Sequence, residues 1–305
     1  MELKWLEDFV SLAETGNFSR SAVLRHVTQP AFSRRIQALE TWLGADLVDR
    51  TSFPTTLTPA GKAFKEHAAE VLRGIYDARA VVRGSEPIPA DTLRFAMPHA
   101  LSLGFYPKWL SRVERAIGGF GSKLDALNVH DAVLALVEGH CDLLICYHHE
   151  QQPIQLDEQR YDMLLLDKQI VRPYAKLTSG GEPLYRLPGS AEHPVPYLAY
   201  SPNAYIARIV DMILERSRIK PYLHRRFETD MAEALKTMAI EGHGIAWLPD
   251  NTIKGMCQSR CLVVAGDENW FCEIEIRLYR DLKKSKPLVE RLWKYLAKHG
   301  YASQA

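Results

Sequence analysis

Thr28-Gln29-Pro30-Ala31-Phe32-Ser33-Arg34-Arg35-Ile36-Gln37-Ala38-Leu39-Glu40 combines a helix start, an apolar face and a basic pair. Thr28 is placed to cap a helix, and Pro30 falls in the first turn, where backbone N–H groups have no intrahelical partner. Phe32, Ile36, Leu39 and Leu43 recur at helical spacing and define a buried face, and Gly44 ends it. Upstream, Trp5, Leu6, Phe9, Val10 and Ala13 line a helix that Gly16 stops. Ser19 is the expected cap of a short helix carrying Ala22 and Val23 and ending near His26. Three helices, the last two joined by a tight turn, make a helix-turn-helix. Leu47–Arg50 and Leu57-Thr58 flank the polar stretch Thr51-Ser52-Phe53-Pro54-Thr55-Thr56, which reads as a hairpin or wing.

Bulk charge does not point to nucleic acid, because the 305 residues carry a formal net charge of only +1. The signal is local. Arg20, Arg25, Arg34 and Arg35 lie between Glu14 and Glu40 with no acidic residue among them, a footprint suited to phosphate. Gln29 and Ser33, four apart, share a helix face; Gln can bond adenine, Arg can bond guanine, and Ser can bond base or phosphate. The early acidic residues Glu2, Glu7 and Asp8 and the absence of an apolar core there argue against a secretory signal. No apolar run reaches membrane-span length, and five scattered cysteines fit a reducing cytoplasm without membrane association.

A long helix follows from Pro59 to about Arg83. Phe64, Ala68, Val71, Ile75, Ala78 and Val82 step along it in a heptad-like stripe, which predicts pairing with a second copy of the chain. Gly84-Ser85-Glu86-Pro87-Ile88-Pro89 reads as a hinge. From residue 92 strands and helices alternate, giving an α/β unit with largely parallel sheets. The stretch is long enough for two lobes with a cleft between them. Among the expected elements are one helix from His99 through Ile117, separate strands Met163–Leu166 and Ile170–Tyr174, a helix capped by Ser201 and opened by Pro202, and a capping pair Asp230/Glu233.

Ligands in such sheets sit where strand C-termini meet helix N-termini. Three junctions qualify: Pro98-His99-Ala100-Leu101-Ser102, Asn128-Val129-His130 and Tyr200-Ser201-Pro202-Asn203. Their backbone N–H groups and short polar side chains suit a carboxylate or another small anion. The candidate effector residues are therefore His99, Ala100, Ser102, His130, Tyr200, Ser201 and Asn203. Each position has a plainer role as a helix cap or a packed core residue, and capping is the favoured role for Ser201.

Phe9-Val10, Asn17-Phe18-Ser19, Thr28 to Glu40, Leu43-Gly44, Leu47-Val48-Asp49-Arg50 and Leu57-Thr58-Pro59-Ala60-Gly61 together resemble the LysR-type transcriptional regulators. The likeness is dense over residues 1–65 and collinear beyond, with Glu241 to Pro249 as a late landmark. It implies an α/β protein with an all-α winged helix-turn-helix at residues 1–60, a linker dimerisation helix and hinge at 61–89, and a two-lobed effector domain like periplasmic binding proteins at 90–305. It further implies homotetramers, double-stranded DNA as partner, a small-molecule effector, and RNA polymerase as a further candidate partner. Carried over by position, Gln29, Ser33 and Arg34 would read bases, while Thr28, Pro30 and Arg35 would sit at the backbone, with Arg20 nearby. The wing departs from the family, with no charge beyond Arg50, and Ala100 stands where many members carry Ser or Thr.

Two other readings compete with a ligand-responsive regulator. Leu101-Ser102-Leu103-Gly104, Tyr200 to Tyr205 and Gly244 to Pro249 resemble the hypochlorite-responsive subgroup, which would place Met97 and Met231 near the cleft as oxidisable groups. An enzyme or a solute-binding protein is the other class. It lacks support: there is no Gly-rich phosphate loop, no Gly-x-Ser-x-Gly elbow and no catalytic spacing of His, Asp and Glu. Cys257 and Cys261 have no clear second pair, so neither a metal nor a cofactor is expected.

Overall fold

The computed structural model describes residues 1–52, 55–82, 89, 91–154, 156–253, 261–283 and 286–299. It opens with α1 (Leu3–Thr15), α2 (Phe18–Leu24) and α3 (Gln29–Leu43). Gly16 and Gly44 close α1 and α3 with φ of 58° and 71°, where a Cβ would be strained. The cap of α2 is Asn17, whose side chain accepts the Arg20 N–H at 2.9 Å, and Ser19 falls inside the helix. Leu6, Phe9, Val10, Phe32, Ile36 and Leu39 form the buried centre.

Asp8 is fully buried in that centre. Arg25 Nε donates to it at 3.0 Å and Arg35 Nη1 at 3.2 Å, so one carboxylate ties α1 to the turn and to α3. Arg25 also pairs with Glu7, which accepts from the Tyr76 hydroxyl. Burying a carboxylate is tolerable only because both guanidiniums answer it.

The wing strands β1 (Val48–Asp49) and β2 (Thr56–Leu57) pair antiparallel. Buried Glu40 fixes the wing to α3: its carboxylate accepts the backbone N–H of Leu47 at 2.9 Å and of Val48 at 3.2 Å, and pairs with Arg50 at 2.7 Å. Phe53 and Pro54 lie outside the described residues. Gly61 is required here, since a Cβ would collide with the Leu47 carbonyl.

Helix α4 (Pro59–Val82) splits its apolar stripe. Phe64 packs on Phe9 with ring centroids 5.5 Å apart, and Ala68 is buried with Leu72. Val71, Ile75 and Val82 are 45%, 42% and 87% exposed. One chain alone leaves that end of the stripe in water. The hinge residues 83–88 are outside the described residues.

The α/β half begins with β3 (Thr92–Pro98), α5 (His99–Gly104), α6 (Tyr106–Ile117), β4 (Gly121–Leu127), α7 (Val129–Val137) and β5 (Leu143–His148). The single helix expected over His99–Ile117 is two, with Pro107 in the first turn of α6. A Pro ring cannot follow an unbroken turn, so the chain restarts there. Gly104 closes α5 where a Cβ would sit 2.7 Å from the Asn251 carbonyl. The two expected strands around Leu166 and Ile170 are one, β6 (Tyr161–Lys176). The chain then forms β7 (Val195–Tyr200), α8 (Tyr205–Arg216), β8 (Leu223–Thr229), α9 (Ala232–Ile240), β9 (Ala246–Pro249), α10 (Asp250–Ile253), β10 (Leu262–Val264), β11 (Cys272–Asp281) and α11 (Pro287–His299).

The large sheet runs β10-β6-β11-β5-β3-β4, with β9 also on β6. It is mixed: β3 is parallel to β4 and β5, but β11 is antiparallel to β5 and β6, and β9 and β10 are antiparallel to β6. β7 and β8 form a parallel pair, joined through a Tyr197–Ile245 bridge to the chain entering β9. One lobe is therefore built on β3, β4 and β5 and the other on β7, β8 and β9, with β6 and β11 shared between them. Among the described residues no helix is long and apolar enough to cross a membrane.

Replacing Asp8 by Ala leaves two guanidiniums without their buried partner. Urea unfolding of the D8A variant should show a loss of roughly 3 kcal/mol, the scale for breaking a buried ion pair. An unchanged midpoint would show that Asp8 does not tie the three helices together.

Candidate DNA-reading surface and effector cleft

The turn Arg25–Thr28 separates α2 from α3, and His26 takes a positive φ of 52° within it. Thr28 holds the N-cap position of α3 with extended backbone, although its side chain makes no capping bond. Gln29, Pro30 and Arg34 are exposed on the first turns, with Ser33 partly exposed beside them. Arg34 makes no ion pair among the described residues. Arg35 does not share this freedom, because its guanidinium is turned to Asp8. Arg25 is likewise engaged, and Arg50, the wing's one cation, is held by Glu40 and lies 5.5 Å over the Phe18 ring. Within the basic run Arg25 and Arg35 hold the domain together, while Arg20 and Arg34 are exposed.

In the α/β half, the C-terminal ends of β3, β4, β5, β7 and β8 converge on a cavity of about 420 Å³. Pro98, His99 and Ala100, Leu127 to Val129, and Tyr147 come from one lobe. Tyr200, Ser201, Asn203 to Ile206, Asp230 and Ala232 come from the other. Five of the seven expected effector residues meet there: His99, Ala100, Tyr200, Ser201 and Asn203. Two do not. Ser102 turns its hydroxyl back to the His99 carbonyl at 2.7 Å. His130 is not on the wall; burial lowers its pKa, with nearby Asp131 opposing and Arg20 and Arg208 adding to the fall.

Two local expectations change on this wall. Ser201 does not cap α8, whose N-cap is Ala204; the Ser201 carbonyl instead accepts the Ala204 N–H at 2.9 Å in a turn. Asp230 does not cap α9, whose N-cap is Met231, and Glu233 pairs with Lys236. Asp230 lies instead on the cavity wall, with no hydrogen bond or ion pair to any described residue. Tyr147 and Tyr205 were not expected here. Their rings stack 6.5 Å apart, and both hydroxyls are pushed above their ordinary range by burial. Tyr147 sits in a run that reads simply as a buried strand, so only the sheet topology could bring it to the cleft.

Met97 is buried within β3, while Met231 is 44% exposed between the wall residues Asp230 and Ala232. The Cys141 and Cys146 thiols are pushed up by burial, which holds them in the unreactive form. Cys261 is exposed, Cys257 lies outside the described residues, and among the described residues no three His, Cys, Asp or Glu side chains cluster as metal ligands.

Residues 3–62 match the family model of the bacterial regulatory helix-turn-helix protein, lysR family, and residues 88–300 match the LysR substrate binding domain. The chain belongs to the LysR family of transcriptional regulators. Like its relatives it joins a DNA-binding helix-turn-helix to an effector-binding domain. It is 34% identical to the HTH-type transcriptional regulator YjiE of Escherichia coli over 97% of this chain and 94% of that one. Vibrio fischeri DarR, solved in complex with DNA, superposes with a TM-score of 0.60 at 32% identity, covering 97% of this chain and 98% of that one. HypT of Salmonella typhimurium, described as hypochlorite-specific, superposes with a TM-score of 0.61 at 31% identity, covering 99% of each chain. In this LysR-family chain the helix-turn-helix also meets the effector domain, at Glu138 after α7. Burial raises the Glu138 carboxyl to about 7, with Arg25 opposing and Glu7 adding to the rise.

That shift has a pH signature. Glu138 titrates at 4.5 when unperturbed and at about 7 in the fold, so folding takes up a proton between those values. The contribution of Glu138 to stability therefore falls as pH rises from about 4.5 to about 7, and the full penalty stands above 7. Glu138→Gln should raise the thermal midpoint at pH 8 relative to the unsubstituted protein and leave it unchanged near pH 4. An equal effect at both values would remove the titration account.

Proposed function

We propose that this LysR-family regulator reads double-stranded DNA with Gln29, Ser33 and Arg34, and that a small molecule in the inter-lobe cleft sets its regulatory state. For the DNA half, the observation that supports this is the exposed N-terminal face of α3, where Arg34 has no partner among the described residues while Arg25, Arg35 and Arg50 are all engaged. Thr28 and Pro30 present the helix N-terminus to phosphate, and the exposed Arg20 on α2 is a further candidate contact. Arg35 acts through Asp8, fixing the pose of α3. With Arg50 held by Glu40, the wing adds little charge to the contact.

For the effector half, the cavity lies at the carboxyl ends of parallel strands, with walls from both lobes. A ligand there can favour one lobe spacing over another, and so bias how the reading heads are set. An anionic group on the ligand would meet the N-terminal turns of α8 and α9. DNA binding places the protein in the cytoplasm, and RNA polymerase is the natural further partner for an activator. No catalytic role is assigned.

The exposed Val71, Ile75 and Val82 stripe on α4 supports a dimer through that helix, and pairs of dimers would give the family's tetramer. An oxidant-responsive variant of this function draws on one observation, the exposed Met231 beside Asp230. Oxidation to the sulfoxide would place a polar group at the cleft wall. Intact-mass analysis after mild hypochlorite treatment, with Met231→Leu as control, separates it from ligand control.

Arg34→Ala should cost roughly 1–3 kcal/mol on a site recovered by in vitro selection and almost nothing on random duplex. Equal losses on both DNAs would assign Arg34 to phosphate. Ile75→Glu should shift sedimentation toward monomer and weaken binding to two-fold sites. Unchanged sedimentation would rule out pairing through α4.

A further inference from the structure

The charge on the cleft wall is unexpected for a receptor of simple organic acids. Neither Lys nor Arg is among its lining residues, and the one formally charged side chain is the carboxylate of Asp230. Arg208 stacks 5.2 Å from the Tyr205 ring but is not on the wall. A ligand bearing only negative charge would face the exposed Asp230 carboxylate, unpaired among the described residues, with no side-chain cation on the wall to offset it. A ligand bearing only positive charge would leave a different set of groups unused. α8 and α9 both begin on the wall, and their N-cap residues Ala204 and Met231 supply no side-chain acceptor to the first turn. Those first-turn N–H groups and the positive ends of two helices favour an oxyanion.

A third observation is independent of charge. Tyr200, 4% exposed and part of the wall, buries a hydroxyl that has no hydrogen-bond partner among the described residues. A buried hydroxyl without a partner costs free energy in the empty protein, and a polar ligand can satisfy it. Beside it, the stacked rings of Tyr147 and Tyr205 offer aromatic faces, which attract an ammonium group as well as apolar carbon.

We propose that the effector is a small zwitterion that carries an ammonium and a carboxylate on one short frame. The proposal rests on the cleft being the effector site, and it narrows the chemistry of what binds there. Asp230 receives the ammonium, the first turns of α8 and α9 receive the carboxylate, and the stacked Tyr147 and Tyr205 side chains line the frame from one side. A cavity of about 420 Å³ has room for a free amino acid, including an aromatic one. Because Asp230 and the two helix starts belong to one lobe while His99, Asn128 and Tyr147 belong to the other, such a ligand is oriented by the first lobe and closed upon by the second.

Isothermal titration of the full-length protein tests this with the twenty common amino acids, their D enantiomers, β-alanine and γ-aminobutyrate. Each binder is repeated as the acid lacking the amine and as the amine lacking the acid. The expected result is at least one amino acid that binds, with either deletion weakening it by about tenfold or more, the scale of a charge-assisted hydrogen bond. Asp230→Asn should weaken that amino acid by a similar factor and leave the acid without an amine unaffected. Asn203→Trp, at an exposed wall position, should abolish both. The proposal is overturned if no amino-bearing acid binds. It is also overturned if the acid without an amine binds as tightly as its parent and Asp230→Asn leaves both unchanged or tighter; the cleft then remains the site, but for an anion. Binding that survives both Asp230→Asn and Asn203→Trp places the ligand elsewhere, and the cleft reading fails with it.

Discussion

The effector half depends on one extended pairing, that of β6 with β11. Their antiparallel register runs from Val171–Cys272 to Tyr161–Asp281, interrupted by a single irregularity near Ile276. One end of β11 continues into β5 and so into the sheet of the first lobe. The far end of β6 takes β9 and β10 and so builds the second. Strands are stiff along their length and easily bent at irregularities. The two lobes are therefore held in register yet able to change their relative angle, and the cavity sits in the gap that this arrangement leaves.

The N-terminal domain is organised by charge as much as by apolar packing. Asp8 fixes α1 to α3 through Arg35, and Glu40 fixes the wing to α3 through two backbone N–H groups and Arg50. Both carboxylates are buried. The geometry that presents Gln29 and Arg34 thus depends on arginines that themselves face inward. A count of basic residues overstates the surface offered to phosphate, and the side chains left facing out carry more of the sequence reading.

Much of this was legible in the sequence, and the failures have physical causes. The three N-terminal helices, the tight turn and the wing follow from apolar spacing and punctuation by glycine and proline, which act locally. The stripe on α4 was legible as a pattern, but the sequence could not show that Phe64 and Ala68 pack on their own domain while Val71 and Ile75 remain exposed, because that depends on where α1 lies. Strand order was least accessible. The long β6 reads as two strands because Asp167 and Lys168 interrupt its apolar run, and its pairing with β11 joins residues more than a hundred apart. At the cleft, His99, Tyr200 and Asn203 were found from the strand-to-helix junctions. His130 does not line the cavity although Asn128 and Val129 do, because a helix turns successive side chains by about 100°. Asp230 was visible but taken for a cap, since an acidic residue before a helix fits either role and only tertiary placement separates them.

The same ambiguity explains why the character of the ligand differs between sequence and structure. From the junctions alone, backbone N–H groups dominate and an anion is the natural guest. The folded wall adds the carboxylate of Asp230, two residues before α9 and unpartnered among the described residues, and removes Ser102 and His130 from the donor set. A wall that carries both oriented N–H groups and a carboxylate discriminates by separation of charge on its guest, and not by net charge. Such discrimination also suits a switch. A ligand shifts an equilibrium only by its difference in affinity between two states, and a guest gripped by one lobe gains that difference when the other lobe closes over it. In this chain the other lobe contributes Tyr147, His99 and Asn128; Asn128 already bonds Asp131 through both ends of its amide, and the Tyr147 hydroxyl meets the Asn251 side chain at 3.5 Å.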